Sequence, residues 1–156
     1  MKVYLVQHAE AMSEEENPER PLSDVGRLHA EQVAEVAAKL GVQVAQIRHS
    51  GKTRAMQTAE IMGEALSPMA GVMAVSGLSP LDDVEPVAEE IDQSSQPLML
   101  VGHLPFMERL AGQLLTLDPD DPVIDFTNAA IVCLVKEEDR WQAAWILTPE
   151  IAGIKV

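Results

Sequence analysis

Along the chain, apolar and polar positions fall into blocks that switch between two spacings. Residues 2–6, "KVYLV", form an apolar run of the length of a strand buried on both faces. Charged residues and two prolines follow in "EEENPERP" (14–21), which predicts a loop at the rim beside that strand's end. Ser23 is placed to cap a helix running to about Leu40, with Leu28, Val33, Val36, Ala37 and Leu40 as its apolar stripe and Gly41 as its stop. "VAQIRHS" (44–50) predicts a second strand. The next helix spans about 53 to 66, with Met56, Ala59, Met62, Gly63 and Leu66 near one side, and Pro68 closes it. "GVMAV" (71–75) predicts a short strand and "VEPVAEEI" (84–91) a short helix with Pro86 in its first turn.

"PLMLVGH" (97–103) is the most strand-like run in the chain, turning through Gly102 into a helix over about 105–115. "AAIVCLVKEEDRWQAAWIL" (129–147) predicts two strands joined by a charged turn. Strand–helix alternation closed by a hairpin predicts an α/β fold: a three-layer α/β/α sandwich, its sheet mainly parallel with a C-terminal antiparallel hairpin. A chain of 156 residues fits one domain spanning 1–156.

Composition narrows the function classes. Aromatic residues make up only 3%, against 47% apolar, which favours helices packed on a sheet over a β-sandwich or a base-stacking surface. The net charge of -14 repels nucleic acid and anionic lipid, so neither is expected as a partner. An anionic substrate would need a local island of positive charge, and "RHSGKTR" (48–54) gathers three of the eleven basic side chains with a histidine. Cys133, the one cysteine, allows no internal disulfide and lies in an apolar run, as a buried structural thiol does. The apolar run after Lys2 is too short for a secretion signal, and a cytoplasmic protein is expected.

The chemistry falls at strand ends, where open α/β sheets bind ligands. His8 follows the first strand, the basic island follows the second, and His103 follows "LMLVG". Parallel strands would bring both histidines and Arg54 to one crevice. That constellation suits phosphoryl transfer through histidine. An imidazole nitrogen can attack phosphorus once its other nitrogen is fixed by an acceptor, while cations hold the transferring oxygens. "SGKT" lacks the earlier glycine of a phosphate-binding loop, since Gln46 stands there. No metal-ligand motif is present, and no cofactor is implied. His29 and His49 read as surface or structural residues.

Five stretches carry a resemblance: "VYLVQHAEA", "RPLSDVGRLHA", "HSGKTRAMQTAE", "LMLVGHLPFMERLA" and "FTNAAIVCLV". In this order they resemble the histidine phosphatase superfamily, whose hallmark is Arg-His-Gly at the end of the first strand. Length and layout are similar to its short members, the SixA-type phosphohistidine phosphatases. The resemblance implies a metal-independent phosphatase in which His8 is the phosphorylated nucleophile. It makes Arg54 a phosphate-binding arginine and His103 the second histidine on the phosphoryl group. Arg20 is a further candidate to face the anion. The implied partner is a phosphohistidine-bearing signalling protein, with phosphate-like anions bound in the pocket.

Two positions depart from that pattern: Gln7 stands in place of the first arginine and Ala9 in place of glycine. Glutamine keeps an NH2 donor but loses the charge and the bidentate fork. Gln7 therefore predicts a slower phosphatase, a cation relocated to Arg20, or a phospho-ligand-binding regulatory module without turnover. Asp82, Asp83 and Glu85 supply carboxylates after the third strand but form no acid motif. Lack of an acid leans toward phosphoramidates, whose imidazole leaving group protonates near neutral pH, over small phosphate esters.

Overall fold

The computed structural model describes residues 1–154. Its sheet is built from β1 (Lys2–Gln7), β2 (Gln46–His49), β3 (Val72–Ala74), β4 (Leu98–Gly102), β5 (Ile131–Glu137) and β6 (Arg140–Leu147). The spatial order is β3-β2-β4-β1-β5-β6. The first four positions are parallel; β5 runs antiparallel to β1, and β6 antiparallel to β5. The α/β sandwich with its terminal antiparallel hairpin is thus the observed architecture.

Alternation along β1 explains the three layers. Val3 and Leu5 face one side, with Leu98 and Leu100 of β4, and are covered by α3 (Glu85–Gln93) and α4 (Phe106–Thr116). Tyr4 and Val6 face the other with Ile47, Met99 and Val101, and are covered by α1 (Asp24–Lys39) and α2 (Thr53–Leu66). Two apolar cores result, one on each face, so the central strands need apolar residues at every position.

The packing faces of α1 and α2 differ from the expected stripes. Leu28 and Leu40 are 52% and 65% exposed, whereas Ala30, Val33, Ala34 and Ala37 are buried. On α2, Ala55, Thr58, Ala59 and Met62 are buried, while Met56, Gly63 and Leu66 are only half-buried. Small residues win these positions because the two helices lie against each other as well as against the sheet. A stripe chosen by size of side chain is therefore rotated from the one that packs. Gly26 serves a different close approach, of α1 to the loop after β1, because a Cβ there would collide with the carbonyl oxygen of Glu10. A short α5 (Pro149–Ala152), capped by Thr148, follows β6 and was not expected from the pattern.

The order of strands places the crevice. The chain steps from β1 over to β2 and on to β3, then returns to lay β4 between β1 and β2. From β1 it leaves to α1 on one face, and from β4 to α4 on the other. Such a reversal opens a crevice at the carboxyl ends of the two strands. Gln7 pairs with Gly102, so the residues that follow, His8 and His103, emerge side by side.

Candidate functional site

His8 continues the ladder for one residue, its N–H donating to the Gly102 carbonyl at 2.9 Å. Its ring Nδ1 lies 2.7 Å from the carbonyl oxygen of Ala9. A carbonyl can only accept, so Nδ1 carries the proton and Nε2 keeps its lone pair. Burial holds the His8 pKa below the ordinary histidine value; the Ala9 hydrogen bond opposes this, and Arg54 and Arg20 add to the lowering. The imidazole is therefore neutral at neutral pH, with a free basic nitrogen.

The backbone around His8 is clamped from three directions. Asn128 Nδ2 donates to the His8 carbonyl at 2.9 Å, and the Ala129 N–H donates to the Gln7 carbonyl at 3.0 Å. Ala129 takes a φ of 66° to make that contact, an uncommon conformation for a residue with a Cβ. On the other side, Thr58 Oγ1 accepts the Ala9 N–H at 2.9 Å and donates to the Arg54 carbonyl at 2.8 Å.

His103 is 2% exposed, and its ring centroid lies 5.1 Å from that of His8. Its Nε2 is 2.6 Å from Ser50 Oγ, and its Nδ1 is buried with no partner. The His103 pKa is pushed down to about 3 by burial first, then by His8, Arg54, Lys52 and Arg20. Every charged group that acts on either histidine is cationic or another histidine. Among the described residues neither has a carboxylate partner.

Arg54 sits in the first turn of α2, where the helix N-terminus adds positive potential of its own. Its Nε is buried without a partner. Arg20, at φ 48°, donates from Nε to the Met12 carbonyl at 3.1 Å and acts on His8, His103 and Arg54. Among the described residues neither arginine, nor Lys52, is in a salt bridge. A patch of unneutralised cations around two neutral imidazoles, in a chain of net charge -14, is suited to a small dense anion.

The basic island of the sequence is divided by the structure. Arg48 leaves it, pairing with Glu90 and donating to Gln46 on the β2 side of the sheet. Strand alternation is the reason: consecutive side chains of β2 point to opposite faces. His49 is buried and accepts the Gly51 N–H at 3.1 Å, a structural role. Of the island's basic side chains, only Lys52 and Arg54 act on His103. Asp82 and Asp83 accept the N–H groups of Ser79 and Glu85, forming the turn before α3. Cys133 is fully buried, and burial pushes its thiol pKa up, as an inert core thiol requires.

Gln7, the last residue of β1 beside His8, has its Oε1 buried and unpartnered. Among the described residues, the buried side-chain N or O atoms without a partner are Gln7 Oε1, Arg54 Nε and His103 Nδ1. All three belong to residues at the carboxyl end of β1, just after β4 or in the first turn of α2. No group of three or more His, Cys, Asp or Glu side chains among the described residues could hold a metal ion. Ser50, Thr58 and Asn128 are the parts of the site with no signal strong enough to assign from sequence. Thr58 alone leaves a trace, a hydroxyl on the alanine-rich buried face of α2.

The profile of the histidine phosphatase superfamily (branch 1) matches residues 3–79, a span that takes in His8, Arg20, Ser50 and Arg54. The chain belongs to the histidine phosphatase superfamily. His103 lies beyond the matched span and takes its place beside His8 through the β1–β4 pairing. No curated protein sequence matches. The fold of this superfamily member extends over whole chains of known structure. The protein histidine phosphatase SixA, solved in complex with tungstate, superposes with a TM-score of 0.83 at 23% identity, over 96% of this chain and 97% of that one. A SixA protein from Agrobacterium tumefaciens gives 0.77 at 23% identity, over 95% and 97%. A phosphoserine phosphatase from Entamoeba histolytica, solved with 3-phosphoglyceric acid, gives 0.73 at 14% identity, over 94% and 96%. At these identities the likeness is one of fold. No helix among the described residues is long and apolar enough to cross a membrane.

Proposed function

We propose that this chain is a metal-independent phosphohistidine phosphatase that acts on a phosphorylated signalling protein through a phospho-His8 intermediate. The observation that carries the reading is the His8 Nδ1 hydrogen bond to the Ala9 carbonyl at 2.7 Å. It fixes a neutral imidazole with its other nitrogen free, which is the state a nitrogen nucleophile needs. In the first step the Nε2 lone pair of His8 forms a bond to phosphorus while the bond from phosphorus to the substrate imidazole breaks. The departing imidazole takes its proton from solvent. In the second step water attacks phosphorus, the bond to Nε2 breaks, and inorganic phosphate leaves. Arg54 and His103 hold the phosphoryl oxygens through both steps, with Arg20 and Gln7 at the rim of the anion.

The phosphohistidine substrate is favoured over an alkyl ester by the surroundings of the two histidines, which are cationic and contain no carboxylate partner. An alkoxide needs an acid to leave; an imidazole protonates near neutral pH. The tungstate in SixA is a phosphate analogue in a protein of this fold, which supports an anion in the crevice here. A second reading is carried by Gln7: with the guanidinium of the superfamily hallmark replaced by an amide, the chain is a phospho-ligand-binding module with little turnover.

The deciding experiment is phosphate release from a phosphohistidine-bearing protein with chelator present and His8→Ala as control. Release that disappears in the control supports the enzyme. Equal release from both proteins, with tungstate still bound, supports the binding module. Rapid hydrolysis of alkyl phosphate esters would overturn the substrate class.

A further inference from the structure

Among the described residues the hydroxyl of Ser50 is the one hydrogen-bond partner of the His103 ring, and its geometry carries more than a contact. Ser50 Oγ accepts the Lys52 N–H at 3.3 Å, a turn made by Gly51 at φ 90°, where residues with a Cβ are strained. With one lone pair engaged by that N–H, the hydroxyl hydrogen is free to point at His103 Nε2, 2.6 Å away. In that arrangement Nε2 accepts and the ring proton lies on Nδ1; with its second lone pair the same hydroxyl can instead accept from Nε2–H.

A hydroxyl differs from other partners in that it can reverse. It donates to Nε2 of a neutral ring, and after rotation it accepts from Nε2–H of a charged one. An amide or a carbonyl in its place would suit one state and leave a buried nitrogen unpartnered in the other. We propose that Ser50 is a positioning residue for His103, holding the resting ring as the Nδ1–H tautomer and turning over to accept from Nε2–H when a phosphoryl anion draws a second proton onto the ring from solvent. This inference rests on the phosphatase reading only for the identity of the anion.

The groups facing His103 make the proton uptake depend on the anion. His8 at the end of β1, Lys52 and Arg54 at the start of α2, and Arg20 in the loop after β1 oppose a charge on the ring. Burial opposes it further, so the free protein holds His103 neutral. A dianion among the same groups offsets their charge and favours the imidazolium. Ser50 lets that change occur without orphaning Nε2.

The test uses the whole protein. Nitrogen NMR of the histidine side chains, with His103 assigned by its loss in His103→Asn, reports the tautomer in the free protein at neutral pH. Tungstate titration by calorimetry, in buffers of different ionisation enthalpy, reports the proton taken up. The expected result is a protonated Nδ1 in the free protein and uptake of about one proton on tungstate binding. In Ser50→Ala the tautomers mix, proton uptake falls, and kcat drops about tenfold to a hundredfold, the cost of an unpartnered buried nitrogen. Ser50→Thr restores the tautomer and most of the rate. A free protein with its proton on Nε2 overturns the proposal, and so does a Ser50→Ala protein with unchanged tautomer and proton uptake. Both readouts are made without turnover, so they separate this proposal from the phosphatase reading, which fails instead if no phosphate is released.

Discussion

Thr58 and Ala9 are joined by a buried hydrogen bond of 2.9 Å that spans 49 positions of sequence. The same hydroxyl donates to the Arg54 carbonyl, one turn earlier on α2. Thr58 therefore ties Ala9, the residue whose carbonyl orients His8, to the turn of helix that presents Arg54. Thr58→Val keeps the shape and removes both bonds. The unpartnered Ala9 N–H is expected to lower unfolding free energy by about 1–3 kcal/mol, read by denaturant melts. Phosphate release should fall more than tungstate affinity does, because His8, the proposed nucleophile, is misaligned while the cations remain. Equal loss of both would mean that Thr58 only supports the helix.

Gln7 leaves an acceptor where a charged fork would serve the anion. Gln7→Arg is expected to raise the rate of phosphate release by about a hundred- to a thousandfold, the span of one transition-state donor. An unchanged rate would show that Arg20 and Lys52 already supply that charge.

The guanidinium of Arg54 differs from an ammonium in shape more than in charge. Arg54→Lys keeps the charge but loses the fork, and tungstate binding should weaken by about 1.5–3 kcal/mol, measured by calorimetry at fixed salt. Binding unchanged by this substitution would place the anion away from α2.

Both site histidines are held below their ordinary pKa in the folded protein, mainly by burial. The unfolded chain therefore binds more protons than the folded one once pH falls below the ordinary histidine value of 6.5. Their contribution to stability is complete above that value and is lost as pH falls toward the folded pKa, about 3 for His103. Thermal melts should show a destabilisation on acidification that is smaller in His103→Asn. The difference in slope has an upper limit of ~1.4 kcal/mol per pH unit for one proton. Parallel pH profiles for the two proteins would mean that His103 titrates alike folded and unfolded.

Much of this arrangement can be read from the amino acids because strand ends are readable. Apolar runs at 2–6 and 97–103 each stop at a histidine, and parallel pairing then brings His8 and His103 together. The limits of α2 are equally legible, since Thr53 to Leu66 lies between a glycine turn and Pro68. What escapes is whatever depends on which way a side chain turns. Arg48 and Arg54 lie in one basic stretch, yet strand alternation sends Arg48 to Glu90. Leu28 and Leu40 read as core, but helix-on-helix packing prefers alanine, and both are exposed. Ser50 and Asn128 act through single hydrogen bonds across the fold, which leave no periodic trace in sequence.

The place of β4 between β1 and β2 has a consequence for how the protein comes into being. Until residues 98–102 are laid in, β1 and β2 have no strand between them, and each offers a bare edge. The crevice has no second histidine before that moment. Its completion waits on pairings between segments distant along the chain, the slow kind to form. On refolding from denaturant, the ability to bind tungstate should return with the last phase of sheet formation, later than the helical signal from α1 and α2. The crevice cannot reach its finished form before the central sheet is closed.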